Sequence, residues 1–293
     1  MTINDNNAQP VFSIIIPAYN QGWLLKKALE SVLRQEFDNY EVIIIDDGST
    51  DNTREIVNSF QDVRIKYYYQ NNSRLAIARN TGIKHAKGKY VAFLDADDIW
   101  YSEKLKKCYE IIMKNPDKDL ICHNEIMKDI SGRIIRNLFY GPYETGMFRR
   151  LLFKGNCLSP SATVVKKDVL VDVGMFRENP EFFSVEDYDL WLRLSKEYKF
   201  YFIPEILGEY IIHGKNMSLD IERQANHEVE VVKQNFKEYK EKRILDFYLI
   251  SLRISKINFS ITIHFIRRGD IKKALYYSIK NISCIFSLLF GDN

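Results

Sequence analysis

The sequence lacks the cysteine spacing that marks a zinc site or a disulfide framework. It has four cysteines in 293 residues, and they lie far apart at Cys108, Cys122, Cys157 and Cys284. Without paired spacing, neither kind of site is predicted. Reduced thiols, as in the cytosol, are the default expectation.

A strong net charge and long apolar runs are absent as well. Lys and Arg total 42 and Asp and Glu total 39, and a net charge of only +3 argues against a nucleic acid partner. The first ten residues lack the basic start and apolar core of a signal peptide. No uncharged apolar run approaches the roughly 20 residues of a spanning helix. We therefore expect a cytoplasmic protein.

What is present is an ordinary globular composition with alternating local patterns. Hydrophobic residues make up 46% and charged residues 28%, enough for one large domain or a domain with an appendage. Short β-branched runs at 11–16, 40–46, 65–70 and 90–94 alternate with helical spacing at 23–35, 51–60 and 75–86. This alternation predicts the α/β class, with a mostly parallel central sheet flanked by helices. Ligands of such sheets bind at the carboxyl ends of the strands.

Two of the predicted strand ends carry acidic turns. "DDGS" places Asp46 and Asp47 after the second strand, and "DADD" places three further carboxylates after the fourth. The first turn also has the composition of a simple turn or helix cap, so a structural role remains open there.

The second acidic turn predicts a cation site. On an extended backbone Asp95 and Asp97 point to one side and Ala96 to the other. Two carboxylates held together repel each other unless a cation lies between them, and hard oxygen ligands suit Mg²⁺ or Mn²⁺. The alternative is that Asp98 caps the next helix while the other two are merely solvated.

Five ordered stretches of the chain carry a family resemblance. They are SIIIPAYNQ (13–21), VIIIDDGSTDNT (42–53), ARNTGIKHAKGKYVAFLDADD (78–98), VGMFRE (173–178) and VEDYDLWLRL (185–194). Together they resemble the inverting glycosyltransferases of family 2, and the resemblance covers residues 12 to about 218. It implies the GT-A fold, a Rossmann-like nucleotide-diphospho-sugar transferase fold, with a helical C-terminal extension outside the match.

The resemblance implies a nucleotide-sugar site between the first strand end and the two acidic turns. Tyr19 would offer a π face to the base, and Asp47 would accept a hydrogen bond from a uracil imide. The plain alternative for Tyr19 is a packing aromatic. The full set of implied donor contacts is Pro17, Ala18, Tyr19, Asp46, Asp47, Arg79, Asp95 and Ala96.

The resemblance also implies a divalent cation, Mn²⁺ or Mg²⁺, which would stabilise the departing diphosphate. Asp97 would be the direct ligand, with Asp95 beside it holding a metal-bound water or the sugar. Arg79 would pair with the diphosphate or with Asp95, unless it is a surface arginine. His213, in "HGKNMS", is either a third ligand or a structural histidine.

A base is needed to take the proton of the acceptor hydroxyl. Glu186, Asp187 and Asp189 open an amphipathic helix, where the helix dipole alone would favour acids. The resemblance favours Asp187 as the base, with Glu186 orienting it or the acceptor. One departure from the family is the pair Ser73 and Arg74, which stands where glycines are usual before "ARN".

The segment after residue 218 matches the family poorly. It lacks proline and predicts two or three helices joined near Gly269. Between 242 and 290 cations are interleaved with aromatic and aliphatic residues, which favours contact with an anionic membrane surface. The alternative is a helical bundle that packs on the catalytic part or forms a homodimer.

The sequence predicts two domains, 1–218 (nucleotide half about 11–98, acceptor and base half about 99–218) and 219–293. It is compatible with three functions. The favoured one is a metal-dependent inverting glycosyltransferase that moves a sugar, first of all from a UDP-sugar, to a glycan or lipid-linked acceptor in bacterial-type surface polysaccharide synthesis. A non-catalytic sugar-nucleotide scaffold is the second. A sugar-phosphate nucleotidyltransferase is disfavoured, because the N-terminus has no glycine-rich basic loop.

Overall fold

The chain forms one mixed α/β layered structure around a nine-stranded sheet. The computed structural model describes residues 9–141, 146–214 and 216–290, except for the side chains of 218 and 281–290. The strands are β1 Phe12–Ala18, β2 Tyr40–Asp46, β3 Ile65–Tyr69, β4 Tyr90–Phe93, β5 Ile99–Trp100, β6 Leu120–Asp129, β7 Ile134–Leu138, β8 Thr163–Lys166 and β9 Phe200–Ile212. The helices are α1 Gly22–Leu33, α2 Thr53–Asn58, α3 Leu75–His85, α4 Lys104–Lys114, α5 Met147–Lys154, α6 Lys167–Asp172, α7 Glu186–Leu194, α8 Ile221–Glu238, α9 Ile244–Arg267 and α10 Ile271–Phe290.

The first four strands are parallel, as predicted, in the order β3-β2-β1-β4. Every residue of β1 and β2 is buried, which explains their unbroken apolar runs. Successive side chains enter different cores: Ile15 and Ile43 belong to the cluster on one face, and Ile14, Ile16 and Val42 to the cluster on the other.

Beyond β4 the sheet is mixed. Strand β8 lies antiparallel between β4 and β6, β9 pairs parallel with β6, and β5 closes the edge antiparallel to β9. The predicted α/β class is confirmed, while the parallel arrangement is limited mainly to the first half of the chain. Short strands such as β8 carry no local signal of their direction.

The turn after β4 differs from the sequence expectation. The strand ends at Phe93, and the amide of Asp98 donates to the carbonyl of Asp95 at 3.1 Å, so these residues form a turn rather than extended backbone. The prediction that Asp95 and Asp97 alternate with Ala96 along an extended backbone is therefore wrong. Asp98 also does not cap a helix, because strand β5 follows it.

This turn lies at a topological switch point. The chain passes from β1 outward to β2 and β3 and then crosses from β3 to β4 on the other side of β1, which opens a crevice at the carboxyl end of β1. Both sequence-predicted regions, Pro17 to Tyr19 and Asp95 to Asp97, stand at this crevice.

The C-terminal segment forms three helices, α8 to α10, and α9 and α10 are joined near Gly269 as predicted. Ile254 and Phe265 of α9 belong to the same hydrophobic cluster as Ile15 of β1. The core thus crosses the predicted domain boundary at 218/219. Among the described residues one helix, α9, is long and apolar enough to cross a membrane, and 44% of its apolar window is buried inside the protein.

Candidate functional site at the carboxyl end of the parallel strands

A cavity of about 250 Å³ opens at the crevice between β1 and β4. Asp95, Ala96 and Asp97 line it from the β4 turn, and Glu186 and Asp187 line it from the start of α7. The fold therefore brings the predicted metal residues and the predicted base residues together, although about 90 positions separate them in sequence.

Arg79 joins the two acidic groups. This α3 arginine is buried, with 2% of its side chain exposed, so the surface alternative is wrong. Its Nη2 donates to Asp95 Oδ1 at 2.6 Å and its Nη1 donates to Glu186 Oε1 at 2.7 Å. Pairing with Asp95 was one of the two predicted roles, whereas the bond to Glu186 was missed. Nothing local in the sequence indicates a contact across 107 positions.

Glu186 and Asp187 have different surroundings within one helical turn. Burial raises the pKa of Glu186 to about 7, against the lowering effect of Arg79. Glu186 Oε2 is buried and has no partner among the described residues. Asp187 is half-buried, accepts from Asn156 Nδ2 at 3.1 Å, and has a pKa raised by burial. Two carboxylates are thus left with free acceptor capacity toward the cavity.

Asp97 is paired with His213 rather than free. His213 Nε2 lies 2.8 Å from Asp97 Oδ2, and Asn216 Nδ2 donates to the same oxygen at 3.3 Å. His213 Nδ1 is buried without a partner in the described part of the chain. A cation bound by both Asp97 and His213 would have to replace their hydrogen bond.

The predicted metal set is only partly suited to a cation. Among the described residues no group of three acidic, histidine or cysteine side chains could enclose a metal ion. Mg²⁺ and similar ions are commonly held by one or two carboxylates together with substrate phosphates and water, so Asp97 with Asp95 meets that simpler requirement. The assignment of Asp97, Asp95 and His213 as ligands stays a prediction.

A second pocket of about 400 Å³ adjoins the cavity on the side of α1 and α3. It is lined by Pro17, Ala18, Tyr19 and Asp47, four of the residues predicted to contact the donor. Tyr19 is 49% exposed, so its ring is accessible to a ligand. Pro17 lines both spaces, so the two are direct neighbours at the carboxyl end of β1.

The first acidic turn is engaged by the protein itself. Asp46 accepts from Ser49 N at 2.8 Å and from Tyr67 OH at 2.6 Å. These bonds give Asp46 the structural turn role that the sequence allowed as an alternative. Asp47 accepts from Gln70 Nε2 at 2.6 Å and from the amides of Ser73 and Arg74 at 2.9 Å each. A carboxylate has about four acceptor positions, so Asp47 keeps capacity for one further donor.

A buried polar network beneath the β4 turn was not predicted. Asp98 accepts from Ser161 Oγ at 2.6 Å and from Ile211 N at 3.0 Å, and burial raises its pKa well above the usual range. Lys104 Nζ donates to the Ser161 carbonyl at 2.8 Å, and burial lowers its pKa to about 7. Charged residues in an amphipathic helix normally face solvent, so sequence pattern alone could not identify Lys104 as buried.

Strand order and cavity position define a class of protein: a GT-A fold with an acidic ligand crevice at the switch point. Two solved structures share this architecture. They are Staphylococcus aureus TarS 1–349 in complex with UDP-GlcNAc (TM-score 0.62, 18% identity, 96% of this chain and 92% of that one) and the mannosyltransferase PcManGT of Pyrobaculum calidifontis in complex with GDP-Man and Mn²⁺ (TM-score 0.62, 16% identity, 94% and 76%). At these identities the likeness concerns the fold alone.

Sequence comparison gives the family. The model of glycosyl transferase family 2 matches residues 13–174, and the chain belongs to this family, which confirms the predicted resemblance. A relative in Escherichia coli, named UDP-Glc:alpha-D-GlcNAc-diphosphoundecaprenol beta-1,3-glucosyltransferase WfgD, is 37% identical over 186 residues, 63% of this chain and 70% of that protein. An uncharacterized glycosyltransferase of Rickettsia felis is 35% identical over 205 residues, 69% of this chain, and the chain spans only 33% of its length.

Proposed function

We propose that the protein transfers a sugar from a nucleotide-diphosphate sugar, with UDP-sugars favoured, to a hydroxyl group of a glycan or lipid-linked acceptor. The observation that carries the proposal is the single cavity that contains both the Asp95–Asp97 turn and Asp187. A transferase needs a group that stabilises the departing diphosphate of the donor and a base for the incoming hydroxyl of the acceptor, and both must act at the same anomeric carbon.

The donor would occupy the crevice with its base in the larger pocket beside Tyr19 and its diphosphate near Asp97. There Mn²⁺ or Mg²⁺, when bound, would neutralise the charge that develops on the leaving diphosphate. The carboxylates of Asp95 and Asp97 would hold that ion. Arg79 fixes the Asp95 side chain through a bond of 2.6 Å, so this carboxylate is positioned before substrate arrives.

The acceptor hydroxyl would approach Asp187, which would take its proton as the new bond forms to the anomeric carbon. Burial raises the pKa of Asp187, which makes it a stronger base than a solvated aspartate. The unpartnered Oε2 of Glu186 would accept a hydrogen bond from the acceptor. A single displacement of this kind inverts the configuration at the anomeric carbon.

The acceptor class follows from a relative. WfgD is named for a sugar acceptor on diphosphoundecaprenol. We extend that acceptor class to this chain, and with it a role in surface polysaccharide synthesis at the cytoplasmic side of the membrane. Both are parts of the proposal.

The test is transfer activity of Asp187→Asn measured as nucleoside diphosphate release with a panel of donors. General base catalysis typically contributes about 10²- to 10⁴-fold, so turnover should fall by that factor while donor affinity is kept. Asp168→Asn is the matched control, because Asp168 also lies in the first turn of a helix but is exposed on α6.

Near-normal turnover of Asp187→Asn would overturn the base assignment. Donor binding without any turnover in the wild-type protein would instead favour the non-catalytic scaffold.

A further inference from the structure

Helix α9 has a second apolar face that no residue of the described part of the chain covers. Its inner face is packed into the core by Ile250, Ile254, Ile257, Ile261 and Phe265. On the outer face, hydrophobic side chains are about half exposed or more at helical spacing: Leu245 59%, Tyr248 54%, Leu252 48%, Phe259 60% and Ile266 50%. A surface helix of a soluble protein normally has polar residues on that side.

Helix α10 extends this apolar surface. Ile271, Leu275 and Ile279 lie four residues apart and are 65%, 60% and 58% exposed. Helix α10 packs against α9, where the rings of Phe265 and Tyr277 stack with centroids 5.8 Å apart. The outer face of α9 and α10 consists of the exposed side chains between Leu245 and Ile279.

Charge on the outer face has one sign. Lys256, Arg267, Arg268 and Lys272 are exposed and form no ion pair with any residue that the structure describes. Between 244 and 280 the sequence has only two acids. Asp246 is buried and bound to Arg149 at 2.6 Å, and Asp270 accepts from the amide of Lys273 at 3.0 Å.

Two further cations of these helices are paired with acids of α8. Arg253 pairs with Glu228 of α8, and Lys273 Nζ lies 2.6 Å from Glu222 Oε2, also on α8. The exposed cations without an acidic partner in the described structure therefore alternate along the chain with the exposed apolar residues of α9 and α10, which is the arrangement of a helix lying in a lipid interface.

Two occupants could cover an apolar face of this kind, and charge distinguishes them. A second copy of the chain would bring the same four cations against each other without acids to pair them, which is destabilising. A surface of anionic phospholipids offers phosphates for the cations and acyl chains for the apolar residues.

The outer face fits attachment to a bilayer surface rather than insertion across it. Crossing would require α9 to leave the core that Ile254 and Phe265 share with the sheet, and to break the ion pair of Arg253 with Glu228. Interfacial helices bury only one face, about 5–10 Å deep, which leaves the inner contacts of α9 intact.

We propose that the outer face of α9 and α10 binds the surface of an anionic phospholipid membrane, with both helices parallel to the bilayer plane. The contact uses residues outside the sugar-transfer cavity, so it stands or fails independently of the proposed reaction.

The test is co-sedimentation of the full chain with phosphatidylcholine vesicles, with and without phosphatidylglycerol, at low and high salt. Each surface cation adds about fivefold in affinity, so the triple change Lys256→Gln, Arg268→Gln and Lys272→Gln should weaken binding to the anionic vesicles roughly a hundredfold. The matched control carries Lys26→Gln, Lys84→Gln and Lys114→Gln, three exposed lysines on other helices with the same loss of charge. This control should bind like the wild type.

A second variant tests the apolar part. Phe259→Ser with Leu275→Ser should weaken vesicle binding without changing the thermal unfolding temperature by more than a few degrees, because both side chains are already exposed. Sedimentation velocity without lipid should give a monomer.

Three results would overturn the proposal: no binding to anionic vesicles at low salt, equal losses in both triple variants, or a dimer that Phe259→Ser with Leu275→Ser dissociates. The last result would make the outer face an interface between copies.

Discussion

The two acidic turns, after β2 and after β4, resemble each other in sequence but differ in what their carboxylates contact. At the first turn Asp46 and Asp47 accept five hydrogen bonds from the protein, between 2.6 and 2.9 Å. At the second turn Asp95 and Asp97 line the cavity and each faces one basic side chain, Arg79 or His213.

The difference shows that acidic composition at a strand end does not by itself indicate a metal site. Whether a carboxylate is available to a ligand depends on the hydrogen-bond donors that neighbouring segments bring to it. The loop before α3 supplies three donors to Asp47, whereas the segments near β4 leave room for a ligand. Under the proposed function, the first turn would shape the nucleotide pocket, and the second would be positioned for diphosphate chemistry.

The largest expected effect is that of Asp97→Asn on activity. Asp97 would hold the cation that stabilises the departing diphosphate, and loss of one such stabilising group typically costs about 10²- to 10³-fold in turnover, which we expect here. The free energy of unfolding should change little, because Asp97 is in the cavity and not in the core. Steady-state kinetics measures the turnover, and thermal unfolding measures the stability. An Asp97→Asn protein with near-normal turnover would contradict the functional difference proposed between the two turns.

Asp46→Ala should lower the stability of the protein and leave its turnover nearly unchanged, the reverse of Asp97→Asn. The change leaves Ser49 N and Tyr67 OH without their charged acceptor in a buried turn, which should cost about 3 kcal/mol of unfolding free energy. Urea denaturation measures the loss. Substrate-saturated turnover of the remaining folded protein should stay close to wild type, and a selective loss of turnover would give Asp46 a catalytic role instead.

His213→Ala tests whether the pairing of Asp97 is part of a metal site. Loss of a residue that orients or ligates at a metal typically costs about 10- to 100-fold in metal affinity, so the Mn²⁺ concentration for half-maximal activity should rise by that factor. Asn216→Ala, which removes the weaker 3.3 Å bond to the same oxygen, should raise it less. Unchanged metal dependence in both variants would make His213 a structural residue.

Glu186 should make the unfolding free energy of the protein depend on pH. Its pKa in the folded protein is raised by burial from 4.5 to about 7, so the folded state holds this proton more tightly than the unfolded state. Its contribution to stability is therefore greatest below pH 4.5 and is lost as the pH rises through about 7. Glu186→Gln should flatten that fall in unfolding free energy; an identical slope in both proteins would contradict the assignment.

The smallest effect concerns the loop that holds Asp47. Arg74 has φ +81° and ψ 159°, a conformation that glycine adopts readily and other residues do not. Arg74→Gly should therefore raise the unfolding free energy by about 1 kcal/mol after the entropy of glycine is counted. Because Arg74 lines the pocket proposed for the nucleotide, donor affinity should fall several-fold. Arg74→Lys keeps charge and strain and should change neither quantity.

The sequence predicted the elements that rest on local periodicity and missed the contacts that depend on long-range packing. The buried runs of β1, β2 and β4, the helices between them and the acidic ends were all visible in the residue pattern. The burial of Arg79 and its bond to Glu186 depend on the approach of α7 to α3. The turn at Asp95 to Asp98 is set by the segment just before β8 and by β9, which fix Asp98 through Ser161 and Ile211 respectively.

The central claim, that the β4 turn is the diphosphate site, is tested most directly by calorimetric titration with UDP, GDP and dTDP. Each nucleotide is titrated with Mn²⁺ and again with a chelator, into the wild type and into Asp97→Ala. The account predicts that one nucleotide, UDP first, binds the wild type in the presence of the metal and that Asp97→Ala does not bind it. Binding that is equal in both proteins, or absent for all three nucleotides, would contradict the account.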